Sequence, residues 1–346
     1  MKYFIVSDIH SFCTELKEGL KKAGFSKTNK DHILVVLGDL FDRGYETTEV
    51  YEFIKSIPKK RRILVQGNHE LLYFELLKKD YPQSHDFSNC TVDTFCHIAA
   101  EVFAQDEATV GYLNWCYSGY FEANYMSESR YYMFDDDTTY NMTRRRWSYV
   151  VEAVKNHPIT KWLKSKEWKH YYELDKYIFV HSFIPTKLKK EVLDTYGMVA
   201  YGFENPACFE FDPNWRESSD IDWNEATWGC PYEKYRAGLF SGEEEQDKVL
   251  VCGHWHTSAF FKHLNHIHLI NEHPIYYSTH LIAIDGGVRY SQTVPGELEH
   301  EQNVLVIDDS DFNTCYDQNR KKLINVLERN SVPIIETVTI GENKDE

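Results

Sequence analysis

The sequence predicts an α/β fold, because short apolar segments alternate with amphipathic helical segments over the first 79 residues. The segments Tyr3–Val6, Ile33–Leu37 and Ile63–Val65 have the length and composition of buried strands. Each of them runs into a turn that carries Asp, Asn or His. Ligands in open α/β sheets bind beyond the carboxyl ends of the strands, so these turns are the predicted functional site.

The helices of this first part are indicated by apolar residues at helical spacing. Thr14–Ala23 places Leu16 and Leu20 one turn apart, and residues 50–57 carry a second apolar stripe. Pro58 marks the end of that stripe, because proline cannot continue a helix. The predicted order is therefore strand, helix, strand, helix, strand, helix.

Residues 80–172 differ in character and predict a mainly helical insertion. Cys96–Phe103 and Ser148–Leu163 have helical patterns, with Pro158 as a break in the second. Tyr and Trp residues are dense between these two segments. We interpret the insertion as a cap beside the strand ends.

Strand patterns return after the insertion and set the domain boundaries. Further strands are expected at Tyr177–Val180, Lys248–Cys252, Leu281–Ile284 and Val304–Ile307. The expected organisation is a core of residues 1–79 and 173–310, a helical cap of residues 80–172 and a C-terminal extension of residues 311–346.

The composition narrows the classes of partner. Among the 346 residues, 38 Lys and Arg against 54 Asp and Glu give a net charge of −16. An acidic surface disfavours nucleic-acid binding, but phosphate chemistry is still possible because bound cations reverse the local charge. No apolar run reaches the length of a membrane span, so no membrane partner is expected.

The cysteines and the N-terminus predict a cytoplasmic protein. None of the eight cysteines forms a Cys-x-x-Cys pair, which disfavours a zinc ribbon. The chain enters a strand directly after Met1, without the pattern of a signal peptide. A reduced, intracellular environment is the expectation.

Five sets of polar residues follow apolar runs, and together they predict a metal site. A mixture of carboxylate, amide and imidazole groups suits borderline divalent metals such as Mn, Fe, Zn or Ni. Two such ions could be bridged by a carboxylate such as Asp39, since it has two oxygens. The sets are Asp8 with His10; Asp39 with Asp42 and Arg43; Asn68 with His69; His181; and His254 with His256.

These motifs resemble those of the calcineurin-like metallophosphoesterases, particularly the phosphoprotein phosphatase branch with its phage and bacterial serine/threonine phosphatases. The matching residues are Asp8-x-His10, Gly38-Asp39-x-x-Asp42-Arg43-Gly44, Gly67-Asn68-His69-Glu70, His181 and Gly253-His254-x-His256. The resemblance implies a two-sheet β-sandwich flanked by helices. It also implies two divalent metal ions, most often Mn, and hydrolysis by a metal-bridging hydroxide.

The resemblance further implies a role for each matching residue. His69 would be the general acid, oriented by Asp42, and Arg43 would bind the substrate phosphate, with Asn68 also counted among the substrate-binding residues. The implied metal ligands are Asp8, His10 and His256 for one ion, Asp39 as the bridge, and Asn68, His181 and His254 for the other.

The function expected from the resemblance is hydrolysis of phosphomonoesters, in the manner of a protein serine/threonine phosphatase. Two alternatives stay open: a dinucleoside polyphosphate hydrolase, such as a diadenosine tetraphosphatase, and a catalytically inactive metal-binding interaction module. The substrate would be a phosphoprotein or a nucleotide.

The sequence departs from the family at three points. Ser11 stands where glycine is frequent, the insertion is long, and Trp223-Asn224-Glu225 lacks the second phosphate-binding arginine. Arg216, Arg236 or one of residues 144–146 could replace that arginine.

Overall fold

The computed structural model describes residues 1–103, 137–190, 205–269, 272–289, 300–312, 314–317 and 322–325. Within them, two sheets stack face to face and helices cover the outside. The helices are α1 (Cys13–Lys22), α2 (Thr47–Ser56), α3 (Asn68–Leu76), α4 (Ser84–Ser88), α5 (Thr91–Phe103), α6 (Asp137–Asn156), α7 (Pro158–Leu163), α8 (Asp220–Trp228), α9 (Pro231–Arg236) and α10 (Thr257–Asn265).

The strands form two large sheets and one small ribbon. The larger sheet has the order β14-β13-β12-β1-β2-β3-β4, the second has the order β10-β11-β9-β6-β5, and β7 pairs with β8. The strands are β1 (Lys2–Val6), β2 (His32–Leu37), β3 (Arg62–Val65), β4 (Trp168–Lys169), β5 (Tyr171–Glu173), β6 (Tyr177–Val180), β7 (Thr186–Leu188), β8 (Phe209–Phe211), β9 (Val249–Cys252), β10 (Tyr276–Tyr277), β11 (Leu281–Ala283), β12 (Leu305–Asp308), β13 (Thr314–Asp317) and β14 (Lys322–Asn325).

The central strands run parallel within each sheet, and hydrogen bonds between the turns that follow them join the two sheets at one edge of the sandwich. In the larger sheet β1, β2 and β3 are parallel, with Ile5 opposite Val35 and Val36 opposite Leu64. In the second sheet β6 and β9 are parallel, with Phe179 opposite Val251. The predicted α/β class, the two-sheet sandwich and the strand positions are confirmed.

Three apolar clusters make the layers, because side chains alternate across each strand. Phe4 of β1 faces the outer helices, whereas its neighbour Ile5 faces the second sheet. In the second sheet Phe179 of β6 points into the space between the sheets. Its neighbour Ile178 packs outward, in the cluster that contains Phe260 of α10. Each sheet is thus buried on both faces.

The described helices of residues 80–172 pack on the outer face of the larger sheet. Phe95 of α5 stacks on Trp147 of α6, with ring centroids 5.7 Å apart, and both belong to the cluster of Phe4. The hydroxyl groups of Tyr73 in α3 and Thr160 in α7 lie 2.6 Å apart. The cap role stays a prediction, because residues 104–136 lie outside the described residues.

Two ends of the larger sheet come from segments that sequence analysis placed outside the core. The strand β4 pairs with β3 through Val65 and Lys169, although it lies within residues 80–172. The C-terminal extension supplies β13 and β14, which were not predicted as strands. No helix among the described residues is long and apolar enough to cross a membrane.

We expect Trp147→Ala to lower the free energy of unfolding by about 3–5 kcal/mol, the usual loss when a buried aromatic side chain is removed. Trp147 is 2% exposed and joins the insertion to the core of the larger sheet. Tyr149→Ala is the control, since Tyr149 is 54% exposed on the same helix. Urea denaturation measures both values. Equal losses for the two variants would show that α6 does not share this core.

Candidate metal centre

The predicted site residues converge because five parallel strand ends meet at one edge of the sandwich. The turns after β1 and β2 are joined by backbone hydrogen bonds from Asp8 N to Gly38 O (3.2 Å) and from His10 N to Asp39 O (3.0 Å). In the second sheet, Gly253 N donates to His181 O (2.7 Å). The turns are therefore held to one another before any side chain is considered.

These turns contain left-handed backbone at residues other than glycine. Asp8, His10 and Asp39 have φ values of 51°, 49° and 54°, and His254 has a φ of 68°. Such conformations are unfavourable for L-residues and concentrate at functional sites, although Asp tolerates them better than most. At Gly67 a Cβ atom would lie 2.2 Å from Oδ1 of Asp39, so no other residue fits there without displacing that carboxylate.

The first group of possible metal ligands consists of His10, Asp39 and His69, whose ligand atoms lie within 4.8 Å of one another. His10 Nε2 is 3.8 Å from Asp39 Oδ2 and 4.0 Å from Asp8 Oδ1. The side chains of the three group members and of Asp8 are all buried. The pairing of Asp8, His10 and Asp39 agrees with the predicted first metal site.

The second group consists of Asp39, His181 and His254, so Asp39 belongs to both. His181 Nε2 lies 3.5 Å from Asp39 Oδ2 and 3.2 Å from His254 Nδ1. The side-chain oxygen Oδ1 of Asn68 is 2.8 Å from Nε2 of His181. The four residues predicted for the second ion are thus brought together.

The side chains present fit a divalent metal. His10 Nδ1 faces the carbonyl of Phe41 at 3.0 Å, and His181 Nδ1 faces that of Leu37 at 2.6 Å. Each Nδ1 therefore carries the proton, and each Nε2 turns a lone pair toward Asp39. His10 Nε2 is buried and has no hydrogen-bond partner within the described part of the chain. Imidazole, carboxylate and amide donors match the preferences of borderline divalent ions.

The electrostatics of Asp8 also favour a cation. Burial and then the carboxylates of Asp285 and Asp39 raise the pKa of Asp8 well above its ordinary value. The hydroxyl of Ser7 and the backbone N–H of His254 donate to its Oδ2 and oppose that rise. A divalent ion beside Asp8 and Asp39 would offset the repulsion between their carboxylates.

His256 is placed differently from the other predicted ligands. It belongs to neither group of possible ligands found among the described residues. Its ring lies edge-on to that of His273, with centroids 5.2 Å apart. His69, in contrast, was predicted to be the acid, yet it lies within the first group of possible ligands. The ligand role of His256 and the acid role of His69 both stay predictions.

His69 is held by Asp42, as predicted for an acid and its orienting carboxylate. His69 Nδ1 lies 2.6 Å from Asp42 Oδ2, and its Nε2 lies 3.3 Å from Nη2 of Arg43. Burial disfavours the charged ring, but the Asp39 charge and the Asp42 hydrogen bond outweigh burial and raise the pKa of His69. Arg43 is exposed, so its guanidinium can reach a bound molecule.

Two threonines complete this arrangement and were missed by sequence reasoning. Thr91 and Thr94 of α5 donate to Oδ2 and Oδ1 of Asp42 at 2.8 and 2.6 Å. Thr94 also accepts from the backbone N–H of Asp42 (3.0 Å). Their spacing of three residues places both on one helix face, but nothing in the sequence indicated that this face meets Asp42.

Glu70 is a third residue whose role the sequence did not reveal. Its carboxylate accepts hydrogen bonds from the backbone N–H groups of Asp39 (3.0 Å), Leu40 (2.9 Å) and Gly67 (2.7 Å). Burial, and then the charge of Asp39, raise the pKa of Glu70 to about 7, whereas these three N–H groups act against the rise. Glu70 therefore joins the turns after β2 and β3.

Arg216, considered above as a second phosphate-binding arginine, is engaged elsewhere. Its Nη2 lies 2.6 Å from Glu173 Oε1 and 2.6 Å from Glu245 Oε2. The guanidinium also covers the ring of Trp215 at 4.1 Å. This network packs β5 against the segment before β9, which gives Arg216 a structural role. Residues 144–146 have no described side chains.

Comparison with known proteins gives a family match over most of the chain. A family model described as calcineurin-like phosphoesterase matches residues 1–258. A symmetrical bis(5'-nucleosyl)-tetraphosphatase of Hamiltonella defensa is 34% identical over 88 residues, which are 25% of this chain and 31% of that protein. The asymmetrical bis(5'-nucleosyl)-tetraphosphatase PrpE of Bacillus subtilis is 34% identical over 85 residues, 22% of this chain and 35% of that protein. The chain thus spans about a third of the length of these relatives.

Solved structures show more distant likeness. A cold-active protein-tyrosine phosphatase of a psychrophilic Shewanella species has a TM-score of 0.44 at 13% identity, covering 94% of this chain and 80% of the other. A protein serine/threonine phosphatase of Saccharomyces cerevisiae has a TM-score of 0.38 at 11% identity, covering 89% and 72%. With TM-scores below 0.5, neither structure adds to the family match.

We expect protein purified without chelator to hold close to two equivalents of divalent metal, and Asp39→Asn to lose both, because Asp39 is the one described residue that belongs to both ligand groups. Asp42→Asn is the control and should keep both ions, since the threonines and His69 occupy its carboxylate. Elemental analysis of the purified proteins measures the content. One ion in a fully loaded sample, or equal loss in both variants, would contradict a bridging Asp39.

We expect Glu70→Ala to lower the free energy of unfolding by about 3 kcal/mol or more, because it leaves three buried backbone N–H groups without their acceptor. Glu75→Ala, at an exposed position of the same helix, should change it by less than about 0.5 kcal/mol. Denaturant unfolding of the metal-free proteins measures both. A small effect of Glu70→Ala would show that the turns hold without this carboxylate.

Proposed function

The chain belongs to the calcineurin-like phosphoesterase family, and we propose that it hydrolyses phosphoester bonds with two divalent metal ions in this centre. The observation that carries the proposal is the arrangement around Asp39. Two groups of possible ligands share its carboxylate, and the His69–Asp42 pair and Arg43 lie beside them. Ligands alone would serve a structural ion, but the adjacent acid and cation serve a reaction.

The proposed ligands divide as the sequence suggested. Asp8 and His10 would hold one ion, with His256 as a further candidate, and Asp39 would bridge. Asn68, His181 and His254 would hold the other ion. Bound divalent ions supply Lewis acidity toward a phosphoryl group. Manganese is the proposed metal, and Fe, Zn and Ni suit the same ligands.

His69 is the proposed general acid, which gives a proton to the leaving oxygen. Asp42 accepts from Nδ1 at 2.6 Å and so directs Nε2 away from α5 and toward the centre. Thr91 and Thr94 fix both oxygens of Asp42, which leaves the imidazole little freedom to rotate. A rigidly directed acid whose pKa is raised above its ordinary value suits proton transfer near neutral pH.

Arg43 is the proposed phosphate-binding residue, and its present contact links phosphate binding to the acid. Arg43 donates from Nη2 to His69 Nε2, which requires that this nitrogen is unprotonated. A protonated Nε2 therefore needs Arg43 to turn toward another acceptor. A substrate phosphate offers that acceptor as two oxygens for the planar guanidinium. Substrate binding would thus free Nε2 to carry the proton it must donate.

Two substrate classes fit this proposal. The first is a phosphomonoester, as for a protein serine/threonine phosphatase. The second is a dinucleoside polyphosphate, and the local identity of 34% to two bis(5'-nucleosyl)-tetraphosphatases supports it. A catalytically inactive module is the remaining alternative. The retention of His69, Asp42 and Arg43 beside the ligands counts against it.

We also propose a cytoplasmic location. Cys13 and Cys252 are free thiols and both are buried. Unpaired thiols persist in a reducing compartment.

A substrate panel with Mn²⁺ tests the proposed function, and His69→Ala tests the mechanism. We expect hydrolysis of at least one of an aryl phosphate, a serine phosphopeptide and diadenosine tetraphosphate. The His69→Ala variant should retain its metal and lose about 10²–10⁴-fold in kcat. The loss should be smaller for aryl phosphates, whose leaving groups need no proton.

The control for this experiment is His97→Ala, a histidine of α5 outside both ligand groups. It should keep metal content and kcat close to those of the wild type. An equal loss for aryl and alkyl phosphates in His69→Ala would rule out the acid role. A metal-loaded wild type without activity on the whole panel would support the inactive module.

A further inference from the structure

Two tryptophans are exposed beside the metal centre. Among the described residues, the large hydrophobic side chains that are exposed include Trp228 at 45% and Trp255 at 38%. Tryptophan is usually well buried, because its indole is the largest apolar side chain. Both indoles face the imidazole of His254, with ring centroids 6.5 Å away for Trp228 and 6.3 Å for Trp255. Two exposed indoles on one proposed ligand call for an explanation beyond packing.

Neither indole stacks face to face on the imidazole of His254. The planes of Trp228 and Trp255 make angles of 89° and 83° with the imidazole plane, so both contacts are edge contacts. Edge contacts use little of an aromatic surface. The exposed fractions quoted above are therefore surface available to another molecule.

Ring packing supports the indole of Trp255, and a hydrogen bond anchors the backbone that follows Trp228. The ring of Trp255 meets that of Tyr232 at 5.4 Å and 90°, and Tyr232 in turn stacks on His263 of α10 at 4.7 Å. Trp228 ends α8, and the next residue, Gly229, accepts a hydrogen bond from Ser182 (2.6 Å). Rigid aromatic side chains bind planar groups without a large loss of conformational freedom.

The location of the two indoles beside the metal centre limits which molecule can bind them. A molecule whose phosphate lies at the centre of Asp39 and His254 can reach these indoles only with a group attached close to that phosphate. A nucleobase, one ribose away from its phosphate, is such a group, and every base has a face that stacks on indole. The net charge of −16 disfavours a nucleic-acid polymer, so a small nucleotide is the fitting occupant.

We propose that Trp228 and Trp255 form a stacking platform for the base of a nucleoside phosphate or polyphosphate whose phosphates bind at the metal centre. This inference rests on the proposed function and names a substrate class for that same site. The platform would select substrates by their organic part, while the ligands and Arg43 act on the phosphates that all substrates share.

The test compares a substrate that carries bases with one that has none. For diadenosine tetraphosphate and inorganic tripolyphosphate, kcat/KM is measured with Mn²⁺ in the full-length wild type, Trp228→Ala and Trp255→Ala. We expect each alanine variant to lower kcat/KM for diadenosine tetraphosphate, relative to that for tripolyphosphate, by about tenfold. This is the usual contribution of stacking one base. Trp228→Tyr and Trp255→Tyr should restore most of the ratio. Tyr149→Ala, an exposed aromatic residue on α6, is the matched control and should keep it.

Binding measurements separate failure of the platform from failure of the proposed function. Calorimetric titration with AMP and with inorganic phosphate should show weaker AMP binding in both alanine variants, relative to phosphate. If the wild type hydrolyses neither substrate, the proposed function fails, and the titration still decides about the platform. An unchanged ratio together with unchanged relative AMP affinity would overturn the platform. A loss for p-nitrophenyl phosphate but not for nucleotides would overturn it too, and would favour an aryl phosphate.

Discussion

The carboxylate of Asp39 is the constraint on which the site depends. It lies within 4 Å of ring nitrogens of His10, His69 and His181, and it accepts the backbone N–H of His69 at 3.0 Å. Burial alone would raise its pKa, yet the surrounding imidazoles hold that pKa below its ordinary value. Each of these contacts depends on the positions of the turns that carry Asp39 and the histidines. The backbone of the site therefore serves to place one carboxylate.

The sandwich architecture makes this placement possible, because the ligands come from both sheets. The hydrogen bond between His181 Nδ1 and Leu37 O, at 2.6 Å, joins the second sheet to the first at their common edge. The chain comes so close at Gly38 that a Cβ atom there would lie 2.7 Å from His181 Nδ1. Glycine is thus required where the two sheets deliver their ligands to a single centre. Glu70 accepts the backbone N–H groups of these closely spaced turns.

The sequence was sufficient for the α/β class and the positions of the central strands, because each depends on a local pattern. An apolar run followed by Asp or His predicts both a strand and the residue at which that strand ends. The sequence could not show that Thr91 and Thr94 face Asp42, since that contact depends on how α5 packs. It also could not show the ring contact of His256 with His273, which joins residues from two separate loops. The strands β13 (Thr-Cys-Tyr-Asp) and β14 (Lys-Leu-Ile-Asn) were missed because each is four residues long and lacks an apolar run.

The position of α5 changes how the insertion relates to the chemistry. Thr91 and Thr94 belong to the segment interpreted as a cap, yet they bind both oxygens of Asp42 beneath the site. Asp42 orients His69, and helix α5 is fixed in turn by the stack of Phe95 on Trp147. The insertion therefore supports the proposed acid from inside the outer helical layer, whether or not another part of it covers the centre. The backbone of a segment that positions a proton donor must keep its place to within fractions of an ångström. A segment that only covers a site needs to keep only its overall shape. The described helices of the insertion should accordingly tolerate fewer core substitutions than a separate covering subdomain would.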